Sequence, residues 1–122
     1  MDFKIELILV PVTDVDRAKA FYVNQVGFHA DFDQRVDENV RFVQLTPKGS
    51  ACSIAFGEGI SEMKPGTLNA IQVVIDSAAD AHRHLTDNGV EATEPDVQPW
   101  GTFVTFADPD GNRWTLQQMP VR

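Results

Sequence analysis

Apolar and polar residues form a β-α-β-β-β pattern in the first half of this chain. An apolar run at Lys4–Val12 predicts a strand, and Thr13-Asp14 after it offers side-chain oxygens for a helix N-cap. Gly27 is typical of the left-handed residue that ends a helix. Three more strands are predicted near 28–32, 40–46 and 51–56, separated by the polar stretch 33–39 and a turn at 47–50. The buried stripe of the helix is expected to contain Val15, Ala18, Phe21 and Tyr22.

The second half repeats this pattern. A strand at 70–75 leads to Asp76-Ser77, a second N-cap, and Asn88-Gly89 predicts the end of the second helix. Strands follow near 92–98, 102–107 and 113–118, and the Pro and Gly of the segment 108–112 predict a tight turn between the last two. Asp14 and Asp76 are 62 positions apart, as are Gly27 and Gly89. Such a repeat indicates two units that bury their apolar faces together.

The chain is predicted to be one domain made of two modules. The first module spans about 1–57, a linker spans about 58–68, and the second module spans about 69–122. The linker is assigned from its Gly and Pro residues and from its lack of periodicity. A chain of 122 residues is long enough for a single core, so no further domain is needed.

Composition and charge exclude several classes of partner. The formal net charge of −8 argues against binding to nucleic acid or to an anionic membrane, both of which need clustered Lys and Arg. No apolar run approaches the roughly 20 residues that span a bilayer, and no signal-peptide pattern opens the chain, so a cytoplasmic protein is expected. The single Cys52 lies in an apolar strand pattern, which favours an inert core thiol over a nucleophile.

Two segments of the chain resemble the vicinal oxygen chelate superfamily. They are Val12–Tyr22, followed by Val26-Gly27-Phe28, and Phe106–Asn112 near the C-terminus. This superfamily includes glyoxalase I, extradiol dioxygenases, and fosfomycin and bleomycin resistance proteins. The resemblance implies an α+β fold, in which two tandem βαβββ modules form a cup-shaped mixed sheet with helices on its convex face. It also implies a homodimer that binds its ligand in the concavity.

The resemblance also identifies four positions at which metal-dependent members of the superfamily hold a divalent ion. They lie on the first and last strand of each module, and the residues that match them here are Leu7, Ser53, Ala70 and Thr115. None supplies the imidazole, carboxylate or thiolate that such ions prefer. No metal cofactor is therefore expected, although an atypical metal site stays open as an alternative.

The three histidines are not arranged as a replacement metal site. His82 and His84 are two residues apart on the second predicted helix, so their side chains point in different directions. His29 belongs to the second strand and has no neighbouring His or Cys. Exposed or half-exposed histidines are the expected outcome.

Strand alternation predicts which side chains line the concavity. If the large apolar residues of each strand face the helices, their neighbours face the ligand. The result is a pocket with apolar walls and neutral hydrogen-bonding groups. The predicted ligand-binding residues are Leu7, Leu9, Phe42, Gln44, Ser53, Ala70, Gln72, Trp100, Arg113, Thr115 and Gln117.

Three of the candidate residues have competing interpretations. Trp100 is either an aromatic gate at the pocket mouth or a structural residue packed over the sheet edge. Arg113 either recognises a carboxylate or phosphate or is an exposed strand charge. Glu6, the only carboxylate inside the first predicted strand, is a candidate general base or a solvated edge residue.

Two main functions remain consistent with these residues. The first is a metal-independent module that binds a small polar organic molecule as a homodimer. The second is a lyase or isomerase of the same superfamily that acts through Glu6 or an atypically held metal. A third hypothesis is a module that serves only in dimerisation.

Overall fold

The computed structural model describes residues 1–121 and confirms two βαβββ modules in an α+β fold. Arg122, the last residue of the predicted second module, lies outside the described residues. The first module contains β1 (Leu7–Leu9), α1 (Val15–Ala20), β2 (His29–Asp37), β3 (Val40–Thr46) and β4 (Ser53–Glu58). The second contains β5 (Ile71–Ile75), α2 (Ala78–Asp87), β6 (Asp96–Gln98), β7 (Gly101–Ala107) and β8 (Arg113–Gln118).

Each module forms its own four-stranded mixed sheet. The strand order is β1-β4-β3-β2 in the first sheet and β5-β8-β7-β6 in the second. In both, the first strand of the module pairs in parallel with the last, and the other pairs are antiparallel. Within residues 1–121, no backbone ladder joins the two sheets. The sequence repeat is thus a repeat of sheet topology.

The two helices begin at the predicted caps. The side chain of Asp14 accepts a hydrogen bond from the backbone N–H of Arg17 at 3.0 Å, and Ser77 accepts one from Asp80 at 3.1 Å. After α1 the chain continues as a π-helical segment, Phe21–Val26, which ends at Gly27 with φ of 101°. This positive φ is a conformation that glycine adopts without steric cost.

Several strands have different bounds from those predicted. β2 continues to Asp37, through polar residues that the sequence predicted to separate two strands. It is an exposed edge strand, so its backbone needs only one partner and its side chains need no apolar face. β6 is reduced to Asp96–Gln98, with Ala92 making a single bridge to Phe106. β1 covers only Leu7–Leu9.

One hydrophobic core joins the modules. It includes the predicted helix residues Val15, Ala18, Phe21 and Tyr22 together with Trp114 and Leu116 of β8. Cys52 was predicted to be a core residue, but it lies just before β4 and is only half-buried. Because the core faces of both sheets pack into the same cluster, their opposite faces point outward.

A buried hydrogen-bond network connects the modules through the turn at 108–112. The Tyr22 hydroxyl donates to Asp108 Oδ2 at 2.7 Å and accepts from Trp114 Nε1 at 3.0 Å. Asn112 Nδ2 donates to the same Asp108 oxygen and to the carbonyl of Pro11, both at 2.8 Å. Burial, together with the Asp108 carboxylate, raises the pKa of Tyr22 far above its usual range. The phenol therefore remains a donor, and the turn motif has a structural role.

An ion-pair network connects α1 to β2 and β3 of the first sheet. The Asp33 carboxylate contacts Arg41 and Lys19, each at 2.9 Å, and Arg41 also contacts Asp16 at 2.9 Å. Hydrogen bonds from Arg41 and, to a smaller extent, from Lys19 hold the pKa of Asp33 well below its usual range. Because the folded-state pKa is lowered, this stabilisation is present above the unfolded value of about 4 and is lost as the pH falls further.

Asp33→Asn is expected to lower the free energy of unfolding by about 1 kcal/mol at neutral pH, since partly exposed ion pairs contribute modestly. Urea unfolding at pH 7 and again near pH 2.5 measures the difference from the parent protein, which should shrink at the lower pH. Asp87→Asn, at an exposed residue with no ion pair among residues 1–121, is the charge-matched control. An equal loss at both pH values would contradict this account.

Candidate functional site

The face of the first sheet opposite the core, here called the first open face, carries five of the predicted ligand-binding residues. Leu7 pairs with Ser53, and Leu9 pairs with Ala55. Ala55 in turn pairs with Gln44, and Phe42 pairs with Gly57. Because paired residues in a sheet share a face, these side chains line one surface. The five predicted residues are Leu7, Leu9, Phe42, Gln44 and Ser53.

The second open face is the equivalent surface of the second sheet. Gln72 pairs with Thr115 and Val74 pairs with Gln117, while Thr105 and Phe103 extend these two rows on β7. Gln72 Nε2 donates to Gln117 Oε1 at 2.7 Å, and Gln117 Nε2 donates to the carbonyl of Trp100 at 2.9 Å. The predicted residues Gln72, Thr115 and Gln117 therefore lie together on a neutral polar surface.

Large apolar side chains remain exposed on both open faces. Phe32 on the first face is 60% exposed and Val74 on the second is 65% exposed. The centre of β4 is covered by its neighbours, since Ser53 is 6% exposed. A small cavity of about 40 Å³ lies between Leu9 and Ala55 and the linker residues Ile60 and Met63. The open faces thus combine apolar area with hydroxyl and amide groups.

The four family positions for a divalent ion do not fit a metal. Leu7 and Ser53 are direct partners on β1 and β4, but the corresponding pair in the second sheet is Gln72 and Thr115. Ala70 lies just before β5 and has no donor atom. A leucine, two hydroxyls and at most one neutral amide oxygen are a poor ligand set for Ni, Zn or Fe. Within residues 1–121, no three His, Cys, Asp or Glu side chains form a group that could hold an ion.

Glu6, the predicted general base, lies away from the open-face residues. It precedes β1 and is exposed, and its carbonyl accepts a hydrogen bond from the backbone N–H of Ser53 at 2.9 Å. Alternation along the strand directs its side chain to the face opposite that of Leu7. This geometry fits a solvated edge residue.

Trp100 and Arg113 are both exposed. The Trp100 side chain is 62% exposed, so it does not pack over the sheet edge as one interpretation required. Arg113 pairs with Ala107 at the start of β8, on the side of the sheet that carries Thr115. Within residues 1–121 it forms no ion pair. An open groove of about 820 Å³ borders Arg113, Thr105 and the C-terminal half of α2.

The helix histidines have structural partners. His84 Nε2 lies 2.8 Å from the carbonyl of Val26 and links α2 to the π-helical segment. His82 Nδ1 lies 2.9 Å from the carbonyl of Thr93. The two imidazoles therefore join different segments, and the half-buried His82 and the exposed His84 agree with the prediction.

Three side chains that the sequence reasoning did not select meet on the first open face. Thr46 donates a hydrogen bond to Asp31 Oδ2, and Thr46 Oγ1 lies 2.6 Å from Ser53 Oγ. His29 is 3.8 Å from the other oxygen of Asp31. Thr46 could have been predicted, since it lies two residues after Gln44 on the same strand and therefore on the same face. Asp31 could not have been predicted, because the register of β2 shifts between Ala30 and Phe32 and changes which side chains face the open side.

Comparison with known proteins places the chain in a family. The sequence model of the family described as the Glyoxalase/Bleomycin resistance protein/Dioxygenase superfamily matches residues 4–116 of this chain. The chain belongs to this superfamily, which confirms the resemblance inferred from the sequence. The uncharacterized protein YetH from Bacillus subtilis (strain 168) is 29% identical over 121 residues, with 94% of this chain and 98% of YetH covered.

Three similar solved structures are proteins from Streptomyces and Sphaerobacter. TnmS3, an antibiotic binding protein from Streptomyces sp. CB03234, has a TM-score of 0.88 and 34% identity, and the match covers 98% of each chain. A glyoxalase/bleomycin resistance protein from the same strain has a TM-score of 0.83 and 36% identity, covering 94% of this chain and 100% of that one. A superfamily member from Sphaerobacter thermophilus DSM 20745 has a TM-score of 0.82 and 32% identity, covering 95% and 97%.

No helix within residues 1–121 has the length and apolar character required to cross a membrane.

Proposed function

We propose that this protein binds a small organic molecule of the antibiotic type on its open faces, as a cytoplasmic homodimer and without a divalent metal. The observation that carries the proposal is the similarity to the antibiotic binding protein TnmS3, which is 34% identical over 98% of both chains. The apolar area and the hydroxyl and amide groups of both open faces are consistent with such a ligand.

The residues at the family's metal positions support binding over metal-dependent chemistry. Leu7, Ser53 and Thr115 offer no strong metal ligand. If the fourth position is assigned to Gln72 instead of Ala70, the set gains only one neutral amide oxygen. Glyoxalase and dioxygenase reactions depend on an ion that polarises adjacent oxygens. A protein with this residue set is better suited to hold an organic molecule by shape and hydrogen bonds.

Sheet packing supports a homodimer. Both sheets use one face for the shared core, so the open faces point away from that core, and the linker residues Ile60 and Met63 border part of the first open face. Phe32 and Val74 are exposed on these faces. A pocket that encloses a ligand needs walls on opposite sides, and a second chain would supply the missing wall. The proposed ligand contacts are the eleven residues predicted from the sequence.

The proposal is tested by thermal unfolding of the untagged protein with a panel of antibiotics and, separately, with Ni, Zn, Fe and Mn. A ligand present at 100 times its Kd should stabilise the fold by about 2.7 kcal/mol, which is a rise of several degrees in Tm. Thr115→Val should weaken that rise, whereas Thr67→Val, at an exposed linker residue, should not.

Metal analysis tests the proposed absence of a divalent metal, and light scattering tests the proposed homodimer. One metal per chain, with a matching rise in Tm, would overturn the metal-independent assignment. A solution mass equal to the 13.5 kDa of one chain would overturn the homodimer. No stabilisation by any compound in a broad panel would count against small-molecule binding.

A further inference from the structure

Asp31 is directed onto the first open face by an irregularity in β2. His29 pairs with Thr46 and Phe32 pairs with Gln44, which leaves an extra residue on β2 between Ala30 and Phe32. Such β-bulges change the direction of a side chain, and they occur often beside active and binding sites. The Asp31 carboxylate consequently reaches the hydroxyl of Thr46 on the face that carries Ser53.

The hydrogen bonds that link Ser53, Thr46 and Asp31 all donate toward the Asp31 carboxylate. Thr46 has a single hydroxyl proton and donates it to Asp31. The contact of 2.6 Å between Thr46 and Ser53 must then use the proton of Ser53. Both protons point toward the carboxylate, so Asp31 and Thr46 offer only acceptors to a ligand, and the buried Ser53 holds Thr46 in this orientation. We call these three residues the acceptor row.

Within residues 1–121, no lysine or arginine balances the charge of Asp31. Its side chain is only 21% exposed, and the one ion-pair candidate in this part of the chain is His29, whose Nε2 lies 3.8 Å from the second carboxylate oxygen. Two residues further on, Asp33 contacts both Arg41 and Lys19. No Lys or Arg of the described chain forms such a pair with Asp31. A partly buried carboxylate without a cation is stabilised by a charged donor.

We propose that the acceptor row is an anchor for a protonated amine on the ligand. This inference rests on the proposed function and deepens it, because it specifies the polar group that the organic molecule carries. The ammonium group donates to the free oxygen of Asp31, and the apolar part of the molecule lies against Phe32 and its neighbours. The negative charge of the whole chain favours the approach of such a cation.

Two fluorescent probes that differ only in charge test the anchor. Monodansylcadaverine has a primary amine that is protonated at pH 7, and its N-acetyl derivative is neutral. Fluorescence titration in 150 mM salt should give a Kd at least tenfold lower for the amine. Asp31→Asn should reduce this ratio to near one, while Asp87→Asn, which removes the same charge elsewhere, should leave it unchanged. Thr46→Val, which keeps the carboxylate but frees it to move, should reduce the ratio by about threefold.

Each contrary outcome has a separate meaning. Equal Kd values for the two probes, or equal effects of Asp31→Asn and Asp87→Asn, would overturn the anchor and leave small-molecule binding intact. Failure of both probes to bind would also overturn the anchor, and the antibiotic panel would then decide the proposed function alone. Asp31→Glu provides a second test if Asp31→Asn does not fold, since it should retain a preference for the amine.

Discussion

Asn112→Ala is expected to lower the free energy of unfolding by about 3 kcal/mol, because it removes three buried hydrogen bonds worth about 1 kcal/mol each. Asn112 is fully buried, and its amide donates to Pro11 and to Asp108. Its side-chain oxygen accepts from the backbone N–H of Leu68 at 3.1 Å. These bonds hold the segment after β1, the linker and the turn before β8 together. The substitution would leave the backbone N–H of Leu68 without its partner, while Asp108 Oδ2 and the Pro11 carbonyl would keep one hydrogen bond each, from Tyr22 and Gly66.

Thermal unfolding measures this loss as a decrease in Tm of about 10 °C, given the usual scaling for a domain of this size. Asn69→Ala is the matched control, since Asn69 is exposed and its side chain makes no hydrogen bond among the described residues. A decrease of less than about 2 °C for Asn112→Ala would show that the turn does not join the modules. It would also remove the structural explanation for the motif at 108–112.

Gly66→Ala is expected to destabilise the fold by about 3 kcal/mol, through a left-handed conformation and a steric clash together. Gly66 has φ of +78°, and a Cβ atom there would lie 2.2 Å from the carbonyl oxygen of Asp110. The clash is with backbone, so the linker or the turn must move. Urea unfolding measures the loss as a lower midpoint with an unchanged slope.

Gly49→Ala separates the two causes. Gly49 has a similar φ of +83°, but nothing lies within 4 Å of its Cβ position. It should therefore show only the conformational cost, about 1 kcal/mol. Equal effects at the two positions would mean that the contact between the linker and the turn does not matter for stability.

Much of the fold could be predicted from local patterns. The caps at Asp14 and Ser77 and the left-handed Gly27 follow from side-chain and backbone preferences that act within a few residues. β3 and β8 have the predicted bounds because their apolar residues alternate clearly. β2 was predicted too short, since an exposed edge strand tolerates a polar sequence.

The candidate site was predictable only where alternation is regular. Leu7, Ser53 and Gln44 lie on one face because β1, β3 and β4 pair without a break. Asp31 was missed because the register of β2 shifts beside it. Glu6 was selected as the only carboxylate in its predicted strand, but its exposed position opposite Leu7 depends on where β1 begins.

The sequence by itself determined the two-module repeat and the helix ends, because both depend on residue type and short-range spacing. Only the tertiary structure decided that Asp108 and Asn112 join the modules and that Asp31 reaches Thr46. These features depend on contacts between residues far apart in the chain and on a shifted strand register. Local propensity contains no information about either.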